Sequence, residues 1–282
     1  MSDQLGYQSS LEVTLYGQGG EVYSDLLAEE KPLNLWVNGS PYVTLMRTPG
    51  DDESLIYGFL KTDKVIEDVD DLESLTPCPT AIDEEGNTRA ELICGLSADR
   101  VKVILASGVR LNTKARASFV SSSCGLCSLE QLEAQLFKTV SQPMSTRRGW
   151  RPSNLSQVTL DAMLARFNRG ESLYSLTGGA HAAALFNLQG ELLHYSIDVG
   201  RHNAVDKVIG SAMIAGVEDF STYLMLVSSR AGFEIVSKAV SVGISALVTL
   251  GAASGAAHRL AILSGLPLYS FTRMGRTHRH QD

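Results

Sequence analysis

Two cysteines three positions apart, Cys124 and Cys127 in Ser121-Ser122-Ser123-Cys124-Gly125-Leu126-Cys127, carry the most available chemistry in this 282-residue chain. Thiolate, rather than thiol, attacks sulfur, and it is favoured where the N–H dipoles of a helix start face it. Ser128 opens a stretch with Leu129, Leu132 and Leu136 at helical spacing and Gln131 in the capping-box position, so the pair stands just ahead of a helix start. Such a pair can seal a structural zinc site, exchange as a dithiol, or carry a persulfide on an accessible loop. Structural zinc calls for four ligands, and no second pair has finger-like spacing; His278 and His280 lie far along the chain in a basic tail. The site is therefore read as one without zinc. The zinc-deaminase pattern, His-x-Glu followed by Pro-Cys-x-x-Cys, is also absent, since neither His181-Ala182-Ala183 nor His202-Asn203-Ala204 supplies the glutamate. A thioredoxin-like pair belongs in a βαβ unit, and none is evident around Cys124. Cys94 lies in an apolar run and reads as a core residue, and Cys78, between two prolines, reads as a loop residue.

A second constellation follows the apolar segments of the C-terminal half. In open α/β sheets ligands bind outside the carboxyl ends of the strands. The segments after four predicted strands are small and polar: Asp198-Val199-Gly200-Arg201-His202-Asn203, Ser228-Ser229-Arg230-Ala231-Gly232, Gly251-Ala252-Ala253-Ser254-Gly255 and Thr272-Arg273-Met274-Gly275-Arg276. Thr177-Gly178-Gly179-Ala180-His181 precedes the first strand of the set. Helix N-termini expose N–H groups, and Arg201, Arg230, Arg273 and Arg276 add forked cationic donors, so a phosphate-bearing ligand fits such a rim. Any one of these segments is better explained by turn glycines and a locally paired arginine; four at equivalent positions shift the balance toward a ligand. His181 and His202 read equally as ligand contacts or as satisfied hydrogen-bonding residues.

The elements that must position these residues differ between the two halves. Leu33–Val37 and Tyr42–Met46 flank Asn38-Gly39, a dipeptide suited to the positive backbone angles of a tight hairpin. Asp51, Asp52 and Glu53 then precede Leu55, Ile56, Phe59 and Leu60 at helical spacing, and strand material is expected at 91–94 and 101–105. The acidic stretches 67–73 and 83–85 read as solvated loops. After a polar, proline-containing stretch comes an amphipathic pattern at Leu160, Met163, Leu164 and Phe167. A hairpin is predicted over 182–186 and 192–198, then strands at 223–228, 244–250 and 266–271 alternating with helices at 203–215, 233–242 and 256–264. Two domains follow: residues 1–145, strand-rich α+β and ending in the Cys124–Cys127 loop and its helix, and residues 146–282, an α/β layer with a largely parallel sheet.

Composition bounds the partners. A hydrophobic share of 44% and a charged share of 20% describe an ordinary globular chain. A net charge of -7 excludes broad binding to nucleic acid, which needs many cations along a polyanion. The uncharged stretch 239–257 is nearly long enough for a membrane span, but its glycines and hydroxyl residues suit a helix end, a buried strand and a turn. The first ten residues lack the basic flank and apolar run of a secretory signal, so a cytoplasmic protein with reduced thiols is expected.

These segments resemble the FdhD family of formate dehydrogenase accessory proteins from about Glu30 to Arg276. The resemblance is carried by Ser122-Ser123-Cys124-Gly125-Leu126-Cys127, Thr177 to Leu185, and above all Asp198-Val199-Gly200-Arg201-His202-Asn203-Ala204-Val205-Asp206-Lys207. Ser228-Ser229-Arg230, Phe233 to Val236 with Lys238, Val37-Asn38-Gly39 and Gly58-Phe59-Leu60 add to it. It implies a sulfurtransferase: a carrier that takes persulfide sulfur from a cysteine desulfurase and passes it to the molybdenum cofactor, bis-molybdopterin guanine dinucleotide, before formate dehydrogenase receives it. Cys124 would then hold the persulfide with Cys127 assisting. Phe271, Thr272, Arg273, Met274, Gly275 and Arg276 match the family's cofactor-binding stretch, and Asp198, Arg201, His202, Ser229, Arg230 and His181 are the further candidate contacts. The resemblance also implies a cytidine-deaminase-like α/β/α fold lacking the zinc site, and it leaves a homodimer open. Ile197, Ser128 and Gly251 to Ser254 depart from the family pattern. Rival readings are a nucleotide-cofactor chaperone whose two cysteines are structural and a dithiol oxidoreductase.

Overall fold

The computed structural model describes residues 8–14, 22–78, 99–111, 119–120, 152–168 and 177–280. Cys94, Cys124, Cys127 and the helix expected after Ser128 lie outside the described residues.

The N-terminal half begins with an antiparallel pair, β1 (Gln8–Thr14) and β2 (Val22–Ala28). The predicted hairpin follows as β3 (Lys31–Val37) and β4 (Ser40–Arg47), turning at Asn38 (φ 49°) and Gly39 (φ 80°). Two successive positive φ angles match the right-handed twist of the strands, which is why an Asn-Gly pair stands there. Helix α1 (Asp52–Thr62) comes next, with Asp52 and Glu53 in its first turn. Strands β5 (Leu72–Cys78), β6 (Asp99–Leu105) and β7 (Phe119–Val120) complete a sheet ordered β5-β6-β3-β4-β7. Strand β5 corrects the loop expected around 67–73 and at Cys78: it pairs antiparallel with β6 at the sheet edge, where Pro77 costs little.

The second half builds α2 (Gln157–Phe167), β8 (His181–Phe186), β9 (Leu192–Asp198), α3 (Arg201–Ile214), β10 (Leu224–Val227), α4 (Phe233–Val242), β11 (Ala246–Thr249), α5 (Gly255–Ser264), β12 (Leu268–Arg273) and β13 (Arg276–Arg279). The sheet order is β13-β12-β11-β10-β8-β9, with β10, β11 and β12 mutually parallel and the β8–β9 hairpin and β13 antiparallel to their neighbours. Alternation along the strands feeds both faces. Ala183, Leu185, Met225, Val227, Leu247 and Leu268 face the layer of α3, α4 and α5. Ala182, Ala184, Phe186, Leu224, Leu226 and Val248 face α2 through Leu160, Met163, Leu164 and Phe167. This is the expected α/β fold with helices on both sheet faces. The uncharged 239–257 stretch is the end of α4, then β11, then the start of α5, and no helix among the described residues is long and apolar enough to cross a membrane.

One core runs through both sheets, because α1 lies on the N-terminal sheet and against α3 at once. The crossing is close: a Cβ on Gly58 would sit 1.8 Å from the Asp206 carbonyl oxygen, and one on Gly210 would sit 1.8 Å from that of Ser54. Glycine at both points lets the backbones touch. The crossing is tied by Asp206, fully buried, which accepts from Lys238 Nζ (2.8 Å) on α4 and Thr62 Oγ1 (2.8 Å) on α1. The five-stranded and six-stranded sheets thus share one core at α1 and α3.

Candidate functional site

The carboxyl ends of β9, β10, β11 and β12 lie along one rim of the second sheet. His181 joins them, because β8 runs the other way and pairs His181 with Asp198. The rim loops are stitched to one another. Ala231 donates to the Ala252 carbonyl (3.0 Å), Ser254 to that of Ala231 (3.0 Å) and Gly251 to that of Ser229 (3.1 Å). A Cβ on Gly251 would meet the Arg230 backbone at 2.8 Å, so this glycine is needed by close approach. Phe271 donates its N–H to the Gly251 carbonyl (3.0 Å), which brings the C-terminal hairpin into the same rim.

The segment 198–207 divides into two roles. Asp198 is fully buried and faces inward: its Oδ1 accepts from Gly200 N (2.8 Å) and Asn203 Nδ2 (3.0 Å), and its Oδ2 accepts from Thr48 N (3.1 Å) and Lys207 Nζ (2.9 Å). Burial pushes the Asp198 carboxyl up, and Lys207, with the Gly200 and Asn203 donors, opposes that. Lys207 also donates to the Thr48 carbonyl (2.8 Å), and Asn203 to that of Met46 (2.6 Å). These side chains hold the end of β4 to the start of α3. Arg201 and His202, in the first turn of α3, stand at the rim. His202 Nε2 lies 2.5 Å from Glu234 Oε2 in the first turn of α4. His181 Nδ1 is 3.3 Å from Ser228 Oγ, which also accepts from Ala182 N (3.0 Å). Burial, then the neighbouring Arg201 and His202, hold His181 below the ordinary histidine value.

Beyond Ser228 a cavity of about 370 Å³ opens between the C-terminal end of α2 and the ends of β10, β11 and β12. Leu164, Asn168, Ser228, Leu250, Thr272, Arg273 and Met274 line it. The volume suits a purine-sized group within the usual range for small-molecule pockets. Thr272 is fully buried, and its Oγ1 has no hydrogen-bond partner. Arg273 is exposed and its Nη1 donates to the Leu250 and Thr272 carbonyls (2.5 and 2.8 Å), which holds the guanidinium across the cavity mouth. Phe271, at φ 52° in a bulge between Ser270 and Arg273, points outward with Met274, at 46% and 65% exposure. Gly275 at φ 70° closes the turn, its N–H donating to Asp161 Oδ1 on α2 (2.9 Å), and Arg276 starts β13 exposed.

The structure therefore gathers Thr272, Arg273 and Met274 at the cavity, with Phe271, Gly275 and Arg276 in the hairpin around it. His181, Arg201 and His202 cluster further along the rim, joined to the cavity through Ser228. Ser229 is buried with its hydroxyl on the Arg230 carbonyl (3.1 Å), and Arg230 is exposed. Sequence reasoning did not single out Glu234, Asn168 or Asp161. Glu234 could have been found as the acid in a helix first turn at the rim; Asn168 and Asp161 gave no signal, since α2 joins the site only through tertiary packing. Cys124 and Cys127 lie outside the described residues. Among the described residues no three His, Cys, Asp or Glu side chains gather as a metal site.

Comparison with known proteins bears on the same span. Residues 28–280 match the FdhD/NarQ family. The "Sulfur carrier protein FdhD" of Streptomyces avermitilis is 38% identical over 256 residues, covering 88% of this chain and 84% of that protein. Its namesake in Mycobacterium tuberculosis is 38% identical over 252 residues, 88% and 87% of the two chains, and that of Saccharolobus solfataricus 33% over 253 residues, 89% and 86%. A crystal structure from Desulfotalea psychrophila, described as a candidate formate dehydrogenase accessory protein, superposes with a TM-score of 0.68 over 98% of this chain and 97% of that one. At 20% identity that likeness concerns the fold.

Proposed function

This chain belongs to the FdhD/NarQ family, and on that premise we propose that it is a sulfurtransferase serving formate dehydrogenase. It receives persulfide sulfur from a cysteine desulfurase at Cys124 and delivers it to bis-molybdopterin guanine dinucleotide, its bound substrate. The observation that carries this reading is the cavity under the C-terminal hairpin, lined by Leu164, Leu250 and Met274 with the Arg273 guanidinium across its mouth. A guanine nucleotide moiety fits both, offering a planar ring to the cavity and a diphosphate to the guanidinium.

The two cysteines suffice for both halves of the transfer. The Cys124 thiolate attacks the outer sulfur of the desulfurase persulfide; one S–S bond forms as another breaks, and the desulfurase cysteine leaves as thiolate. Once the cofactor is bound, the Cys127 thiolate attacks the inner sulfur of the Cys124 persulfide. That closes a Cys124–Cys127 disulfide and releases hydrosulfide toward the bound cofactor, the thiol pair supplying the two electrons. A cellular dithiol reopens the disulfide for the next round.

Calorimetric titration with guanosine diphosphate tests the cavity. Wild type should bind it, and Arg273→Ala should weaken binding by about tenfold or more through loss of a charge-assisted contact. Equal affinity in the two proteins, or no binding by wild type, contradicts the assignment.

A further inference from the structure

Three of the chain's six histidines meet at the far edge of the second sheet, outside the candidate site. His280 follows β13, His278 lies within it, and His258 is in the first turn of α5. His280 Nδ1 stands 3.1 Å from His258 Nδ1, with ring centroids 5.3 Å apart, and His280 Nε2 is 2.8 Å from Ser270 Oγ on β12. Ser270 is buried at 2% exposure, so this chain of contacts runs from the surface into the protein.

An imidazole nitrogen either carries a proton and donates or lacks one and accepts. Two facing Nδ1 atoms at this distance therefore hold one proton between them. A proton on each sets N–H against N–H and cation against cation. Among the described residues, the groups facing His280 are His258 from α5, Ser270 from β12 and His278 from β13, two bases and a hydroxyl. Burial, then His258 and His278, hold His280 below the ordinary histidine value.

Among the described residues, strand β13 is an edge strand paired with β12, and the ladder is broken by the bulge between Ser270 and Arg273. Its exposed side-chain contacts include Arg279 Nη2 with Asn154 Oδ1 and the His278 ring against Phe271. The His280 backbone N–H donates to the Leu268 carbonyl (2.9 Å), so the imidazole contact sits where the hairpin closes.

We infer that the His258–His280 contact is a proton-operated latch on the C-terminal hairpin. With one proton shared between the two Nδ1 atoms, β13 stays on β12; with both rings cationic, the strand parts from the sheet. Because folded His280 takes its proton less readily than a free histidine, the latch holds fully above about pH 6.5, the ordinary histidine value, and weakens as pH falls below it. The consequence for function rests on the reading of the cavity given above. Releasing β13 loosens the turn that carries Met274, Gly275 and Arg276, so ligand binding would weaken in acid.

Hydrogen exchange of the full chain, read by mass spectrometry and corrected for intrinsic rates, tests this at about pH 7.5 and about pH 5.5, either side of the histidine range. In wild type the protection of 276–280 should fall about tenfold in acid, the order expected for two like charges in contact near a surface, while that of the β8–β9 hairpin stays level. His258→Phe keeps a ring in place without a second proton and should shrink the acid effect several-fold; His280→Gln, which can still bond Ser270, should do the same. Equal wild-type protection at both pH values, or an undiminished fall in both variants, overturns the latch. Guanosine diphosphate titrated at the same pH values separates the two claims. No binding at either pH contradicts the functional reading while the exchange result still decides the latch.

Discussion

Asp198 stands in the segment with the strongest family resemblance, yet its carboxylate faces the interior, so the structure predicts that Asp198→Asn damages folding rather than ligand binding. Four donors converge on the carboxylate, two on each oxygen: Gly200 N and Asn203 Nδ2 on Oδ1, and Thr48 N and Lys207 Nζ on Oδ2. An amide of the same shape must turn its NH2 toward one of these pairs, setting donor against donor in either orientation. It also leaves Lys207, whose side chain is 2% exposed, without a counter-charge. Removing one partner of a buried ion pair costs about 3 to 5 kcal/mol. With a urea dependence near the upper end for small domains, roughly 3 kcal/mol per molar, the unfolding midpoint should drop by about 1 M or more. Far-UV circular dichroism against urea reads this directly. Adding Lys207→Met removes the stranded cation, so the double variant should be less destabilised than the sum of the single changes by about 2 kcal/mol, a coupling usual for contacting residues. Guanosine diphosphate affinity, measured where Asp198→Asn is still folded, should change less than about threefold, as expected for a residue outside the binding contacts. An unchanged urea midpoint together with a lost affinity would refute the structural role and return Asp198 to the ligand.

Gly58→Ala brings a Cβ to 1.8 Å from the Asp206 carbonyl, against a tolerable minimum near 3.0 Å, so α1 and α3 must separate by about 1.2 Å (3.0 less 1.8). Overpacking of that kind costs up to about 3 kcal/mol and outweighs the gain of about 1 kcal/mol from replacing a helical glycine. Thermal unfolding should therefore show a lower Tm, and a Tm at or above wild type would mean that the helices do not meet as described. His181 should titrate below 6.5 in a histidine NMR titration, since burial, Arg201 and His202 all disfavour its cation. Its contribution to stability is then full above the ordinary histidine value and lost as pH falls below it; a midpoint above 6.5 would contradict the placement beside Arg201.

Much of the second half was legible because its signals are local. Leu160, Met163, Leu164 and Phe167 marked the face of α2 by spacing alone, and β10 and β11 are short apolar runs followed closely by serine and by glycine. Asn38-Gly39 announced its hairpin for the same reason, since two positive φ angles are a property of the dipeptide. What was missed depends on partners distant in the chain. Strand β5 follows an acidic stretch and holds Pro77, so its pairing with β6 has no local signature. The histidine tail looked like a basic end, whereas its pairing with β12 and the His258 contact make it β13. The segment 198–207 looked like one ligand-binding element. Only the position of β4 and α1 shows that Asp198, Asn203, Asp206 and Lys207 hold the fold while Arg201 and His202 stand at the rim. Gly58 matched the family as a residue type, but its reason, contact with the Asp206 backbone, lies 148 residues away (206 less 58).

Intact mass measurement after incubation with a cysteine desulfurase and cysteine bears most directly on sulfur carriage. The wild-type chain should gain one sulfur atom, removable by a dithiol. Cys124→Ala should gain none, and Cys127→Ala should load normally but fail to release sulfur to the cofactor. A chain that never acquires sulfur on either thiol, or Cys124→Ala that still activates formate dehydrogenase, would contradict the account.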